Sequence, residues 1–346
     1  MRVVVLGVGA VGSRAARQLA SSPEVTSIVI SDREPGRTEA VARSLGPVAS
    51  AEQWHPAVLD GADALLLAAP LATTLSSLPA GRAIGSVGLD LVEHARPEGV
   101  AVISVADGMA EVEGLLRFRA AARAAQTPLV IGAGMAPGLT DVLARQAAAT
   151  FDAVEEIHVA KAGTGGPACA RQHHRALGDE ALDWRDGEWA RRPGGSGREI
   201  CWFPDPVGGR DCYRAGLPDA LLLAPAFPGV SRITARMAAT RRDRLTSALP
   251  MLRQPHPEGE LGAVRVEVRG RRAGGRAVAV LGALDRPGVA AGAVSALSCL
   301  WALGGRFHEP VAGGLAQLLV DPVEFLAELA RRGVKVAVFE GADSTR

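Results

Sequence analysis

The sequence predicts an α/β fold, in which a doubly wound parallel sheet is interrupted by an inserted α+β domain. Over residues 1–134, short apolar segments alternate with helical segments, as in a parallel sheet covered by helices on both faces. At the start, Val3–Gly12 (VVVLGVGAVG) leads from an apolar run into a glycine-rich turn. After Phe151, segments such as Val154–Ala160 alternate polar and apolar residues, which is typical of half-buried antiparallel strands.

The glycine-rich turn has the spacing G-x-G-x-x-G, formed by Gly7, Gly9 and Gly12. In such a turn, the first glycine permits a tight bend, the second lets a pyrophosphate approach the backbone, and the third allows close helix–strand packing. Ala10 and Val11 complete the turn at a helix N-terminus, where free N–H groups attract phosphate. We therefore expect a Rossmann-type dinucleotide-binding unit.

A second apolar run, Val25–Ile30, leads to Asp32, twenty residues after Gly12. A dinucleotide-binding unit carries a carboxylate at this place to accept hydrogen bonds from the ribose hydroxyls. Asp32 would repel a 2′-phosphate, whereas Arg33 could stack on adenine or partly neutralise that phosphate. The sequence therefore favours NAD(H) as cofactor, with NADP(H) as the alternative.

Further elements complete the predicted first domain. Strands are expected at Ala64–Ala68, Ala83–Val87, Val100–Ile103 and Leu129–Ile131, and helices at Arg37–Leu45 and Glu111–Ala125. Ala69 and Pro70 follow a strand, and such small residues would let a cofactor lie close to the backbone. A simple strand exit at the proline explains them equally well.

A second glycine-rich segment, Gly132–Gly138 (GAGMAPG), precedes a helix expected at Leu139–Thr150. We expect Met135, Pro137 and Gly138 to face the cofactor crevice. A plain domain-linking turn is the alternative.

The predicted second domain contains strands at Val264–Arg269 and Ala277–Ala283 and a long insert, Gly163–Gly209, rich in Gly, Trp and His. An irregular aromatic insert is typical of a lid or a subunit interface, and Arg191–Arg198 is expected to be its mobile tip. A helix at 288–303 follows. The closing helix Asp321–Arg332 and strand Val334–Phe339 are expected to return to the first domain. The predicted units are thus 1–134, 135–305 and 306–346.

Composition excludes several classes of function. The net charge of +1 over 346 residues offers no electrostatic basis for binding nucleic acid or an anionic membrane. The chain starts directly in a strand and has no apolar run long enough for a membrane helix, so a cytoplasmic protein is expected. Its four cysteines lack C-x-x-C spacing and are expected to be free thiols. Cys169 with His173 and His174 lacks a second Cys/His pair, so we expect no metal.

Candidate catalytic and substrate residues are few. His173 and His174 suit proton transfer, because histidine as a residue type intrinsically titrates near neutral pH, although a polar face of the insert explains them as well. Lys161 could be a buried acid or base, but base rates favour a strand-end lysine in solvent. Asp90 and Asp107 follow apolar runs and could be polar groups of a substrate crevice. We expect catalysis between the glycine-rich loop at 132–138 and the insert bearing Trp202. The sequence contains no G-x-S-x-G or H-E-x-x-H motif, and Tyr213 has no lysine four residues on.

Taken together, these motifs resemble the saccharopine dehydrogenase-like family, which includes saccharopine reductase, lysine 6-dehydrogenase and carboxynorspermidine dehydrogenase. The residues that carry the resemblance are GVGAVG, Asp32-Arg33, AAP at 68–70, GMAPGLTDVLAR at 134–145, FPDPVG at 203–208 and RGVKVAVFEG at 332–341.

The resemblance implies an NAD(P)-dependent oxidoreductase that transfers hydride at the carbon–nitrogen bond of an amino-acid-derived imine or amine. It also implies a small-molecule substrate and a homodimer built on the second-domain sheet. The chain departs from relatives at Ala136, where they often carry an acidic residue, and this points to a different substrate. Two alternatives stay open: reduction of a carbon–carbon double bond in a polyketide- or lipid-like intermediate, and a dinucleotide-binding protein without catalysis.

Overall fold

A computed structural model describes residues 1–69, 99–251, 255–309 and 311–339. The expected strand Ala83–Val87 and the site candidates Pro70 and Asp90 lie outside these residues.

The secondary structure follows in chain order. The strands are β1 (Arg2–Leu6), β2 (Ser27–Ser31), β3 (Ala49–Ala51), β4 (Ala64–Leu67), β5 (Ala101–Ser104), β6 (Leu129–Ile131), β7 (Ala153–Ala162), β8 (Ala181–Arg185), β9 (Glu188–Arg192), β10 (Glu199–Trp202), β11 (Gly209–Arg214), β12 (Arg232–Ala238), β13 (Gly262–Arg272), β14 (Gly275–Asp285), β15 (Ala312–Gly313) and β16 (Lys335–Phe339). The helices are α1 (Gly12–Ala20), α2 (Pro35–Leu45), α3 (Met109–Leu116), α4 (Arg119–Ala124), α5 (Leu139–Ala148), α6 (Pro167–Ala176), α7 (Asp219–Leu223), α8 (Arg241–Thr246), α9 (Pro287–Leu303), α10 (Leu315–Leu318) and α11 (Pro322–Arg331), with 3-10 turns at Pro56–Leu59 and Ala224–Ala226.

The first sheet is parallel throughout and has the strand order β3-β2-β1-β4-β5-β6-β15. Strands β4, β5 and β6 are buried over their whole length, because helices cover both faces of the sheet. The order reverses at β1, and in open α/β sheets ligands bind beyond the carboxyl ends of the strands at such a switch point. The predicted Rossmann-type fold class is confirmed.

A helix from the C-terminal part of the chain packs on the first sheet and its helices. Helix α9 packs against α1 and against β4 and β5. Gly292 permits the approach, because a Cβ there would lie 2.7 Å from the Cβ of Arg14. At the other end of α9, Trp301 is buried and meets Phe325 of α11 edge to face, with ring centroids 4.9 Å apart.

The second sheet is mixed and has the order β10-β11-β12-β7-β13-β14-β16, with β8 and β9 attached to β12. Adjacent strands in this sheet pair antiparallel, except for β7 and β12, which run parallel to each other. The long hairpin β13–β14 turns at Ala273 and Gly274, both with positive φ, the backbone of a type I′ turn. This sheet is the α+β part expected from the alternating pattern after Phe151.

The insert is more regular than the sequence suggested. Helix α6 and strands β8 to β10 lie within residues 163–209. The turn Asp186-Gly187, with φ of 48° and 90°, joins β8 to β9, and Asp-Gly is a strong type I′ hairpin signal. The expected mobile tip, Arg191–Arg198, is bonded into the sheet, since Gly195 N–H donates to the Arg214 carbonyl and Ser196 accepts from Arg214 N–H.

Two other expectations are corrected. The helix expected at Glu111–Ala125 is divided into α3 and α4, because Arg117 and Phe118 bond back three residues rather than four. The closing strand, expected in the first sheet, pairs antiparallel with β14 in the second, where it supplies the partner for that strand's free edge. The first sheet instead gains β15, beside β6. The unit boundaries at 134 and 305 stay a prediction.

Among the residues described, no helix is both long and apolar enough to span a membrane.

Candidate active site

The glycine-rich turn between β1 and α1 is packed closely at two of its three glycines. Gly7 has a φ of 93°, and a Cβ there would lie 2.5 Å from the amide nitrogen of Ala69. A Cβ at Gly12 would overlap the carbonyl oxygen of Gly7. The tight turn and the helix packing assigned to these glycines therefore have a direct steric basis, and Ala69 is small because it packs on Gly7.

Gly9 differs from its two neighbours. It is exposed, and nothing lies within 4 Å of where its Cβ would be. The fold itself does not require a glycine at this position, so the open space in front of Gly9 can accommodate a ligand that approaches the backbone. An anionic ligand suits this space, since α1 begins here without a side-chain cap on its first turn.

Asp32 lies beside the same turn, one residue beyond β2. One carboxylate oxygen accepts a hydrogen bond from the Val8 N–H at 2.8 Å, and the other accepts from the Glu34 N–H at 3.1 Å. The side chain is thus held in one orientation by the glycine turn and by the start of α2. Arg33 is exposed next to it.

The loop Gly132–Gly138 folds back on itself after β6. Gly134 N–H donates to the Pro137 carbonyl at 3.1 Å, and Leu139 N–H donates to the Gly134 carbonyl at 2.9 Å. Met135 and Pro137 are buried in this loop. Gly138 has a φ of 120°, and a Cβ there would overlap the carbonyl oxygen of Gly134.

Lys161 reaches this loop from the second sheet. It lies near the end of β7, between β12 and β13, and is 4% exposed, contrary to the solvent position that base rates favoured. Its Nζ donates to the carbonyl oxygen of Ala136 at 3.1 Å. Because β12 and β13 pair with β7 on its two sides, the lysine lies in the interior of the sheet and not on an edge strand.

Next to Lys161, three side chains form a compact triad: Asp107, Cys169 and His173. The Oδ2 atom of Asp107 lies 3.2 Å from the Sγ of Cys169 and 3.2 Å from the Nε2 of His173. The Sγ and Nε2 atoms are 3.5 Å apart. Cys169 and His173 face the same way because they are one turn apart on α6, and Asp107 arrives from the loop after β5.

The triad adjoins the glycine-rich turn. Gly165 and Gly166 precede α6, and a Cβ at Gly166 would lie 2.8 Å from the Cβ of Ala10. The first turn of α6, which carries Cys169, therefore begins against the turn expected to hold the cofactor. His173 is nearly buried while the Asp107 side chain is 27% exposed, so the triad is open on the Asp107 side.

Charges within the cluster set its protonation. Burial by itself raises the pKa of Asp107, but the hydrogen bond and charge of His173, with the charge of Lys161, lower it to about 2. Burial and the charge of Lys161 lower the pKa of His173. Burial and the charge of Asp107 raise the pKa of the Cys169 thiol. At neutral pH the cluster therefore contains a carboxylate, a neutral imidazole and a thiol.

His174 and Trp202 have other surroundings. His174 is buried, and its Nε2 lies 2.9 Å and 3.1 Å from the carbonyl oxygens of Thr246 and Leu249. Trp202 is 67% exposed on β10, an edge strand of the second sheet. The structure thus brings together Asp107, Lys161 and His173 from among the expected catalytic and substrate residues.

Sequence reasoning missed a pair of buried carboxyls behind the loop. Asp141, in the first turn of α5, is fully buried with Asp219. Thr140 donates from Oγ1 to Asp219 at 3.2 Å. Burial, and then the negative charge of Asp219, raise the pKa of Asp141 well above its usual range. Asp219 follows a Leu-Pro turn and carries no local signal, whereas the C-x-x-x-H spacing of Cys169 and His173 could have indicated the triad.

No protein-family model and no curated protein sequence matches this chain. Solved structures do. Saccharopine dehydrogenase (L-Glu forming) from Saccharomyces cerevisiae is 13% identical and superposes over 98% of this chain and 99% of its own, with a TM-score of 0.68. DAP dehydrogenase from C. glutamicum, in complex with DAP, is 13% identical over 96% of this chain and 98% of its own, with a TM-score of 0.47. The chain therefore has the fold of saccharopine dehydrogenase, as the resemblance in its sequence predicted.

Proposed function

We propose that this chain is an NAD(P)-dependent oxidoreductase that transfers hydride at the carbon–nitrogen bond of an amino-acid-derived imine or amine. The observation that carries the proposal is the position of the Asp107–Lys161–His173 cluster, which adjoins the glycine-rich turn at the carboxyl edge of the parallel sheet. A redox cofactor held by the turn would have its reactive end beside charged, buried groups that could orient a polar substrate.

The cofactor side of the site fits a dinucleotide. The open space at Gly9 would take the pyrophosphate, flanked by Ala10, Val11 and the start of α1. The fixed carboxylate of Asp32 would accept hydrogen bonds from the adenosine ribose, and its charge supports NAD(H) over NADP(H). Ala69, Met135, Pro137 and Gly138 would form the wall towards the nicotinamide, and Arg33 would lie over the adenine.

When bound, the nicotinamide supplies hydride to the substrate carbon or accepts it. In the reducing direction the carbon–nitrogen double bond gains hydride at carbon and a proton at nitrogen. Lys161 is the best-supported donor of that proton, because its buried Nζ is fixed by the Ala136 carbonyl at the mouth of the loop. Asp107 and His173 would contact the polar groups of the substrate. His174 has less support, since two carbonyl oxygens already surround its Nε2.

The composition of the cluster supports a carbon–nitrogen substrate over a carbon–carbon one. Reduction of a double bond in a lipid-like intermediate needs an apolar pocket, and Trp202, the substrate candidate on the insert, is instead exposed on an edge strand. A carboxylate and a lysine, by contrast, suit an amino-acid-derived molecule with charged ends.

The test is a turnover screen with isotopic readout. The chain is incubated with NADH deuterated at C4 and with pairs of 2-oxo acids and amines, and in reverse with N-substituted amino acids and NAD⁺. Deuterium at the new amine carbon, detected by mass spectrometry, would support the proposal. Turnover of enoates alone would support the carbon–carbon alternative. Tight NADH binding with no turnover would support a catalytically silent binding protein.

A homodimer is proposed through the second sheet. Ile200 and Trp202 are 58% and 67% exposed on β10, and exposed large apolar groups on an edge strand favour association. Light scattering after gel filtration should give twice the chain mass of 35.7 kDa, and Trp202→Ser should shift the equilibrium towards monomer.

A further inference from the structure

We propose that Asp107, Cys169 and His173 form a binding site for one divalent transition-metal ion, with Zn²⁺ as the preferred ion. The site would use one ligand atom from each residue: Oδ2, Sγ and Nε2. This inference does not depend on the proposed function, because a metal would bind whether or not the chain transfers hydride.

The spacing of the three atoms fits a tetrahedral zinc ion. Zinc binds sulfur at about 2.3 Å and nitrogen or oxygen at about 2.0–2.1 Å, which places tetrahedral ligand atoms roughly 3.3–3.6 Å apart. In the triad these separations are 3.2 Å for Oδ2 to Sγ, 3.2 Å for Oδ2 to Nε2 and 3.5 Å for Sγ to Nε2. All three atoms could therefore contact one ion after movements of a few tenths of an ångström.

The donor types identify the class of metal. Thiolate with imidazole and carboxylate suits Zn²⁺, whereas Mg²⁺ and Ca²⁺ prefer sites built from oxygen alone. The Cys169 thiol would release its proton to solvent when the ion binds. Within the described part of the chain, these residues are the only His/Cys/Asp/Glu group whose ligand atoms converge in this way. The expectation of no metal considered only Cys169, His173 and His174, which are close in sequence. Asp107 lies 62 residues before Cys169, so the sequence alone did not connect it with them.

Three protein ligands leave a fourth position open, as in catalytic rather than structural zinc sites. That position would lie on the side of Asp107, whose side chain is more exposed than that of His173. Lys161 would not occupy this fourth position, because its Nζ donates a hydrogen bond to the Ala136 carbonyl. We infer that the open position takes water or a carboxylate oxygen of the substrate; the second assignment rests on the proposed function.

Metal content of the untagged, full-length chain tests the site. After dialysis against a chelator and reloading with Zn²⁺, elemental analysis should find about one ion per chain. Loading with Co²⁺ should give the charge-transfer absorption of a sulfur–cobalt bond and the intense visible bands of tetrahedral Co²⁺. Cys169→Ser should abolish the charge-transfer band, and it should weaken Zn²⁺ binding by more than the roughly 10- to 100-fold typical of losing an outer-shell partner.

Cys299→Ser is the matched control, because Cys299 is a buried free thiol on α9, and it should leave binding unchanged. Lys161→Met should tighten Zn²⁺ binding by removing a nearby positive charge. The wild-type chain also allows a test without variants, since X-ray absorption at the zinc edge should show one sulfur and two or three nitrogen or oxygen neighbours. Absence of stoichiometric metal, or equal binding by Cys169→Ser, would overturn the proposal and leave a hydrogen-bonded triad only. Metal binding without hydride transfer would overturn the proposed function alone.

Discussion

The Nζ of Lys161, on the second sheet, donates a hydrogen bond to the carbonyl oxygen of Ala136, in the loop that follows the first sheet, at 3.1 Å. This bond connects the two sheets at the place where the charged cluster adjoins the glycine-rich turn. A side chain with a polar end is rarely buried this fully unless that end has a hydrogen-bond partner, and here the Ala136 carbonyl is that partner.

Lys161→Met should lower turnover on the substrate by roughly 10²- to 10⁴-fold, the usual contribution of a positioned proton donor, while NADH affinity stays within a few-fold of wild type. Steady-state kinetics would measure the turnover, and calorimetry would measure the affinity for NADH. The chain has one other lysine, Lys335, which is exposed, so Lys335→Met is the matched control. Recovery of activity in Lys161→Ala by a small added amine would support proton donation over a structural role. Unchanged turnover in Lys161→Met would exclude Lys161 as the proton donor.

Gly9→Val should abolish binding of NADH, because the new side chain would fill the open space in front of the turn. The fold should survive, since nothing lies within 4 Å of that Cβ position. Gly275→Val, at the start of β14 in the other sheet, is the control and should bind NADH normally. Unaltered affinity of Gly9→Val in calorimetry would place the cofactor elsewhere.

Asp32→Asn tests cofactor choice with little change of shape. The amide oxygen can still accept the hydrogen bond from Val8 N–H, but the negative charge that repels a 2′-phosphate is gone. We expect the wild type to prefer NADH, and the variant to shift the ratio of kcat/KM values towards NADPH by about tenfold, equal to about 1.4 kcal/mol. Arg33→Ala, added to Asp32→Asn, should reduce that gain. A wild type that uses NADPH tenfold better would contradict the assignment.

Asp141→Asn should stabilise the chain at neutral pH. Because the pKa of Asp141 is raised in the folded state, the folded chain retains a proton that the unfolded chain loses once the pH exceeds about 3.9. Stability therefore falls as pH rises from there towards the folded pKa, by up to about 1.4 kcal/mol per pH unit. Asparagine abolishes this loss.

The Tm of Asp141→Asn should thus exceed that of wild type at pH 7, and the two should converge near pH 4. Asp60→Asn, at an exposed position, should show no such dependence. A variant less stable than wild type at pH 7 would mean that the ionised carboxylate is needed in the folded state.

The elements that sequence predicted well are those whose signals are local. The glycine turn, the strand before Asp32 and the hairpin strands β13 and β14 each follow from a periodicity or from a spacing of a few residues. The insert shows the limit of such reasoning, because its abundance of glycine suggested irregular structure. The Asp186-Gly187 signal for a hairpin was present, and Trp184 and Trp189 pair across it with ring centroids 4.8 Å apart.

The sequence by itself determined that this chain contains a glycine-rich strand-to-helix turn and a carboxylate at the end of the next strand, because these features lie within one βαβ unit. Only the tertiary structure decided that Asp107, Lys161 and the Cys169–His173 pair meet. They come from the loop after β5, from β7 and from α6, and no local rule relates their positions until two sheets pack together. Burial likewise belongs to the fold: Lys161 and Asp141 are polar residues in ordinary local contexts, and neighbouring strands and helices, distant in sequence, remove both from water.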